Sequence, residues 1–485
     1  MKHRQTVCVV GLCRHLRWIC VLLLGAAALP SAAGPVFDLG PIGSRERTLA
    51  GDDRYCLAGP FFESRTGADG SALWALRPLY SRFDEPGRSR MVKDFLWPVG
   101  TVKTLGKETD WWVLLGMGHD FDNTDPDSRY RTWILPVLFY GRDRAHSPYA
   151  AVFPIGGSIH EFLGRDTISF VLFPLYSRST LNDLKTWNVL WPLISHTTGD
   201  GVDRFRVFPL YGRSVREGES CKRFVLWPFW TSASYEAPGR SGTAWVLFPV
   251  AGRVNMENQK SWMILPPLFR FSTSTEINRG YCPWPFIQYS SGTEDKFYLW
   301  PLWGHKDSAN ARYRFALWPI YSSREQRRNH ETVRRTFVAP LLYRETRDGR
   351  DDQGQPLNYR YWKLWPLVSY ERDRDRVATR LLELWPTKYT AQIERNYAPF
   401  WSLYAHRRQG QAVEDEALWG LWRRRSLESG DRRAALFPII EWQYSAESRS
   451  VEEWSLLKGL VGFRRDGRSA TYRVLYVMRF GGGKP

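Results

Sequence analysis

The chain has 485 residues, 15% of them aromatic, and a formal charge of +18. That apolar and aromatic load excludes a disordered chain. Beyond the N-terminus no stretch approaches 18 apolar residues, which excludes a helical membrane protein. Three of the six cysteines (Cys8, Cys13, Cys20) precede residue 21, and Cys56, Cys221 and Cys282 are far apart. An odd, scattered set excludes a disulfide framework.

Residues 1–33 read as a secretory signal peptide. Lys2, Arg4, Arg14 and Arg17 come without an acidic residue, "WICVLLLGAAAL" follows, and small residues at Ser31 and Ala33 suit cleavage after Ala33. The twelve-residue core is too short to span a bilayer. Removing the four basic residues leaves +14, which suits anionic partners such as lipid head groups or acidic glycans. Residues 34–54 read as a leader, 55–480 as one β-repeat domain, and 481–485 as a C-terminal tail.

The repeat domain is marked by Trp or Phe directly before Pro. The pair occurs thirteen times, at Pro98, Pro154, Pro174, Pro192, Pro209, Pro228, Pro249, Pro285, Pro301, Pro319, Pro366, Pro386 and Pro438. Composition alone gives about three. With degenerate copies such as "TFVAPLLYRE" and "DEALWGLWRR", about 22 units of period near 19 follow Cys56. Each unit has a polar start, four apolar residues, Pro, two apolar residues and a polar segment, as in "RFRVFPLYGRS" and "KRFVLWPFWTS". Short β-rich runs between turn residues predict an all-β fold, and Pro inside each run excludes helix.

Period two places Phe224, Leu226, Pro228 and Trp230 on one face, and Phe297, Leu299, Pro301 and Trp303 likewise. On this reading each unit is one strand of about ten residues, and Pro marks a bend or bulge that curves the sheet. The alternative is that the prolines mark loops between still shorter strands. The expected architecture is an antiparallel meander closed into a large outer-membrane β-barrel, with a β-solenoid or open β-repeat as the alternative. The last run, "TYRVLYVMRF", alternates Tyr472, Val474, Tyr476, Met478 and Phe480. It resembles the terminal strand by which outer-membrane barrels are recognised, although "GGGKP" follows the final aromatic.

Four residues after Pro stand Arg82, Arg178, Arg213 and Arg253, with His196 and His305 at the same offset. They are candidate anion-binding residues, suited to phosphate or carboxylate, against the plainer reading of a solvated strand end. In a meander of single-strand units, alternate members would fall at opposite rims. In "HDFDNTDPDSR", Asp120, Asp122, Asp125 and Asp127 are candidate Ca²⁺ ligands, but the glycine and closing Glu of an EF-hand are missing and an Asp-rich turn explains them equally well. No nucleotide loop, nucleophile elbow or zinc-protease motif is present, so neither an enzyme nor a cofactor is expected. The aromatics sit in the apolar runs rather than among the basic loops, which argues against nucleic acid. The sequence therefore predicts an exported, non-enzymatic envelope protein, either an outer-membrane barrel with a structural, passage or ligand-binding role, or a soluble or surface-attached repeat module binding anionic glycan or lipid head groups.

Overall fold

The computed structural model describes residues 37–239, 241–351, 353–446, 451–467 and 469–481. The expected signal peptide, and the tail beyond residue 481, lie outside the described residues. The chain forms one 46-stranded antiparallel sheet. Each strand pairs with its sequence neighbours, as Tyr176–Leu181 does with Arg165–Val171 on one side and Leu184–Val189 on the other. Most strands have five or six residues, and the longest, Leu342–Arg350 and Pro356–Leu364, have nine. Two short helices, Ala391–Asn396 and Ala398–Trp401, interrupt the series. The array begins inside the expected leader, with Phe37–Asp38 and Gly43–Arg47.

The prolines lie between strands, not within them, which is the second of the two readings of the repeat. Leu172-Phe173-Pro174-Leu175 is a turn in which the Leu175 N–H donates to the Leu172 carbonyl at 2.9 Å. The Phe173–Pro174 peptide is cis, so Pro occupies the third position of a type VI turn. Twelve of the thirteen aromatic–Pro pairs are cis; the exception, Pro386, lies in the segment that carries the helices. A missing N–H costs nothing at that turn position, and the proline carbonyl is used: Pro174 accepts from the Trp191 N–H of the next turn at 2.8 Å, and Pro209 from Trp227 at 2.7 Å.

Each sequence unit is therefore a hairpin rather than a strand, and 46 strands account for about 22 units. The expected faces change accordingly. Across the three-residue connection at Pro301, Phe297, Leu299 and Trp303 do share a face. Across the four-residue connection at Pro228, Val225 pairs with Trp230, so Phe224 and Trp230 fall on opposite faces. The same correction applies to "TYRVLYVMRF", which divides into Ser469–Val474 and Met478–Phe480 around a turn.

The meander is open. Among the described residues the first strand pairs only with Gly43–Arg47 and the last only with Ser469–Val474, so no hydrogen-bonded seam completes a barrel. Side chains join the N-terminal part of the sheet to its later part instead. Arg54 Nη1 lies 3.1 Å from Glu416, Arg423 3.2 Å from Asp38, and Arg395 2.8 Å from Asp94. Asn396 also donates to Asp94, at 3.0 Å, and the Phe61 and Phe400 rings meet edge to face at 5.3 Å. The strands around Asp53–Leu57 thus lie against those around Ala412–Ala417, with a charged layer between them.

Burial raises the Glu63 pKa, but Arg54, Arg77 and Arg65 outweigh it and hold that carboxyl at about 2. Glu416 is likewise held well below the ordinary range, by Arg54, Arg423 and Arg407 against its own burial. A depressed carboxyl contributes stability above its unfolded pKa of about 4.3 and loses it as pH falls toward the folded value. Glu63 alone accounts for roughly 3 kcal/mol on that scale. Between about pH 4.3 and 2 the overlap should therefore open before the rest of the sheet. In hydrogen exchange, Asp53–Leu57 and Ala412–Ala417 should lose protection ahead of Tyr176–Leu181. Simultaneous loss in all three would show that the ion network does not hold the overlap.

Candidate functional site

Because every unit is a hairpin, all aromatic–Pro turns fall along one edge of the sheet. The opposite edge carries mostly polar turns, such as Asn182–Asp183, Asp200–Gly201 and Glu217–Glu219. Along the first edge the aromatics preceding Pro meet one another, with Phe153–Phe173 at 5.2 Å, Phe173–Trp191 at 5.6 Å and Trp300–Trp318 at 5.9 Å. Aliphatic residues flank this spine and face solvent: Leu175, Leu226, Leu302, Leu341 and Leu367 are each about half exposed. The result is a continuous apolar rim, far longer than the isolated exposed residues of an ordinary soluble surface.

The rim is built against local backbone preference. Leu96, Leu172, Leu190, Leu226, Leu265 and Leu317 all have positive φ, between 41° and 50°. For a residue with a Cβ this region costs about 1–2 kcal/mol, and Gly or Asn is its usual occupant. The chain repeatedly places Leu where Asn would fit the backbone better. Strain repeated at the same position of these six turns, and absent at Val207, Leu247 and Leu299 of shorter ones, points to a use for the apolar side chain.

The six residues four after Pro stand above this rim on one face. Arg178 faces Trp187, which faces His196, then Phe205, Arg213 and Arg223 in successive strands. The row continues through Trp245, Arg253 and Trp262, and later through Phe297, His305 and Arg314. Arg82 holds the same place between Trp74 and Lys93. The expected scatter to opposite rims does not occur, because the second strands of successive hairpins all run in the same direction. Sequence reasoning missed the aromatic mates, which belong to the first strand of each hairpin and are recognisable only once the turn is placed.

The row is lightly neutralised. Arg82 Nε is 2.7 Å from Asp84, His196 3.0 Å from Asp203, and His305 3.7 Å from Asp295. Arg253 lies over Trp262, 4.5 Å from the ring centroid, and Arg178 5.7 Å from that of Trp187. Among the described residues neither Arg213 nor Arg223 has an acidic partner, although they sit directly opposite one another. Like charges so placed are destabilising. From the rim upward, four of these six strands read aliphatic turn, Tyr or Trp, then cation, as in Leu175, Tyr176, Arg178 or Leu210, Tyr211, Arg213; Ile194 and Ala251 stand at the aromatic position in the His196 and Arg253 strands.

The acidic turn is occupied by its own hydrogen bonds. Asp122 accepts from the Thr124 N–H at 3.0 Å and pairs with Lys107 at 3.0 Å; Asp120 accepts from Ser128 at 2.7 Å; Asp125 accepts from the Asp127 N–H at 2.9 Å; and Asp127 pairs with Arg142 at 2.9 Å. Among the described residues no three acidic, His or Cys side chains converge as a metal site would need. Beneath the row, the other face of the sheet between Leu138–Arg142 and Gly242–Leu247 is concave and holds a cavity of about 1050 Å³. No family model and no characterised protein matches this sequence.

Replacing a strained rim leucine by asparagine should relieve backbone strain. We expect Leu226→Asn and Leu317→Asn each to hold or raise stability, by up to about 1 kcal/mol. Urea denaturation checks this. A loss above 1 kcal/mol would mean that these leucines serve packing.

Proposed function

We propose that the protein is a non-enzymatic cell-envelope protein that rests on a lipid layer through its apolar rim, with the cation–aromatic row at head-group level. The observation that carries this reading is the aliphatic and aromatic edge that recurs from turn to turn, kept at six of those turns in spite of backbone strain. An apolar edge with Tyr and Trp next to it and Arg above follows the order of a membrane interface: hydrocarbon, aromatic belt, anionic head groups. At about 3.3 Å per residue the cations stand about 7 Å above the aromatics. The positive charge of the chain suits an anionic surface.

Strand length favours attachment over spanning. Transmembrane strands need about 9–11 residues, whereas most strands here have five or six. The unpaired first and last strands also expose backbone groups that hydrocarbon would not satisfy. The signal peptide read from the sequence supports an exported location, with the outer membrane as the proposed surface.

Vesicle flotation tests the reading. The wild-type protein should float with phosphatidylglycerol/phosphatidylcholine vesicles. The rim variant Leu302→Asp/Leu341→Asp/Leu367→Asp should bind at least tenfold more weakly, since each leucine leaving lipid loses about 1.5–3 kcal/mol. Arg213→Gln/Arg253→Gln should lose about fivefold per charge at low salt, at about 1 kcal/mol each, and little at high salt. A wild-type protein that ignores vesicles, or a rim variant that floats equally well, would sink the proposal. A rim variant that changes only the oligomeric state would assign the edge to self-association instead.

A further inference from the structure

The cavity on the concave face has an unusual balance of chemistry. Arg204, Arg206 and Lys222 line it from the inward rows, and its lining has no acidic residue. Arg204 and Lys222 lie on the same inward row on either side of Ser214, and Arg206 is one step nearer the rim. None of the three has an acidic partner among the described residues, and Arg206 Nε is buried without a hydrogen-bond acceptor. Arg204 and Lys222 are exposed and Arg206 half-buried, so the cost falls on the unsatisfied Arg206 donor, and an anion beside it would relieve that cost and be drawn by all three charges.

The rest of the lining divides into a Ser- and Thr-rich floor, as at Ser179, Thr186 and Thr197, and an apolar wall that reaches the rim. Phe173, Trp191 and Trp227 form its rim wall, and Ile168 and Phe170 continue it away from the cations. The volume, about 1050 Å³, is at the upper end for a small-molecule site. A free anion would leave the aromatic wall unused, and a neutral apolar ligand would leave the cations unpaired. We propose that this cavity binds an anionic amphiphile, its acidic head on Arg204, Arg206 and Lys222 and its chain along the Phe173–Trp191–Trp227 wall. The source of the ligand, a lipid layer beneath the rim, rests on the membrane reading above; the chemistry of the site does not.

The test uses monomeric lysophosphatidylglycerol below its micelle concentration, with binding followed by native mass spectrometry and calorimetry and no membrane present. The full chain should bind it in a defined ratio. Lysophosphatidylcholine and inorganic phosphate should each bind at least tenfold more weakly. Arg204→Gln/Arg206→Gln/Lys222→Gln should weaken lysophosphatidylglycerol at least tenfold with a thermal midpoint held or raised, since it removes like charges that have no acidic partner. The variant Leu302→Asp/Leu341→Asp/Leu367→Asp, distant from the cavity, should bind the lysolipid normally while failing to float with vesicles. Absent binding, unaltered binding by the triple glutamine variant, or equal binding of inorganic phosphate or lysophosphatidylcholine would overturn the inference. Lysolipid binding in a protein that ignores vesicles would uphold the cavity and refute the rim.

Discussion

The tight turn at twelve of the thirteen aromatic–Pro pairs is the constraint on which the rest depends. It reverses the chain within three or four residues, is closed in most repeats by a hydrogen bond from the residue after Pro to the residue two before it, and offers the next turn a carbonyl, that of Pro as at Pro174 or that of the residue after it as at Leu193. Because it recurs after every second strand, equivalent positions of successive units are related by translation across the sheet. A residue type fixed at one place in the unit becomes a row on one face. Leucine next to the turn becomes a rim, and Arg or His four residues after Pro becomes a cationic row. Neither feature needs any long-range specification beyond the period.

A sheet made this way has little ordinary core. Among the described residues the one sizeable buried apolar cluster groups Phe139, Tyr149, Ala151, Ile159 and Phe170. Elsewhere the inward face carries Ser, Thr and Gly, as at Ser177, Ser179, Thr186 and Gly212, so most aromatic surface remains outside. Stability then comes chiefly from nearest-neighbour strand pairing, as in other repeat arrays, and the large aromatic content is left for the edge and the outer row. That distribution explains how a chain so rich in Trp, Tyr and Phe can bury so few of them, and why its apolar edge calls for a partner.

The periodicity of the sequence was sufficient for the all-β class, the number of units and the antiparallel meander. It was not sufficient for the unit itself. "VLFPLY" has the same apolar pattern whether Pro bends a strand or ends it, because both faces of a short strand beside an apolar rim are apolar. The faces followed from that choice: one extra connection residue at Pro228, compared with Pro301, reverses which side the following Trp occupies. The cations Arg178, Arg213 and Arg253 were visible because their offset from Pro is constant. Trp187 and Trp262 were not, because they are fixed by register across a hairpin. Arg206 and Lys222 were invisible for a different reason: only curvature of the sheet turns them into one cavity.

The ends of the array pose a separate physical problem. An open sheet offers unpaired backbone at both edges, a template for endless addition of further copies. Here the edge strands are the shortest, Phe37–Asp38 and Met478–Phe480. Behind the first, the sheet is fixed by Arg54, Glu63, Glu416 and Arg423 rather than by apolar packing. Buried ion pairs stabilise less than apolar contacts of similar volume, but they tolerate few alternative registers. A layer built from them fixes where the overlap lies without creating another adhesive apolar surface. Extra apolar packing there would compete with the rim for the same partners. Charge at the overlap and leucine at the edge therefore solve complementary problems: one limits how this sheet meets itself, and the other gathers the exposed apolar surface along one rim.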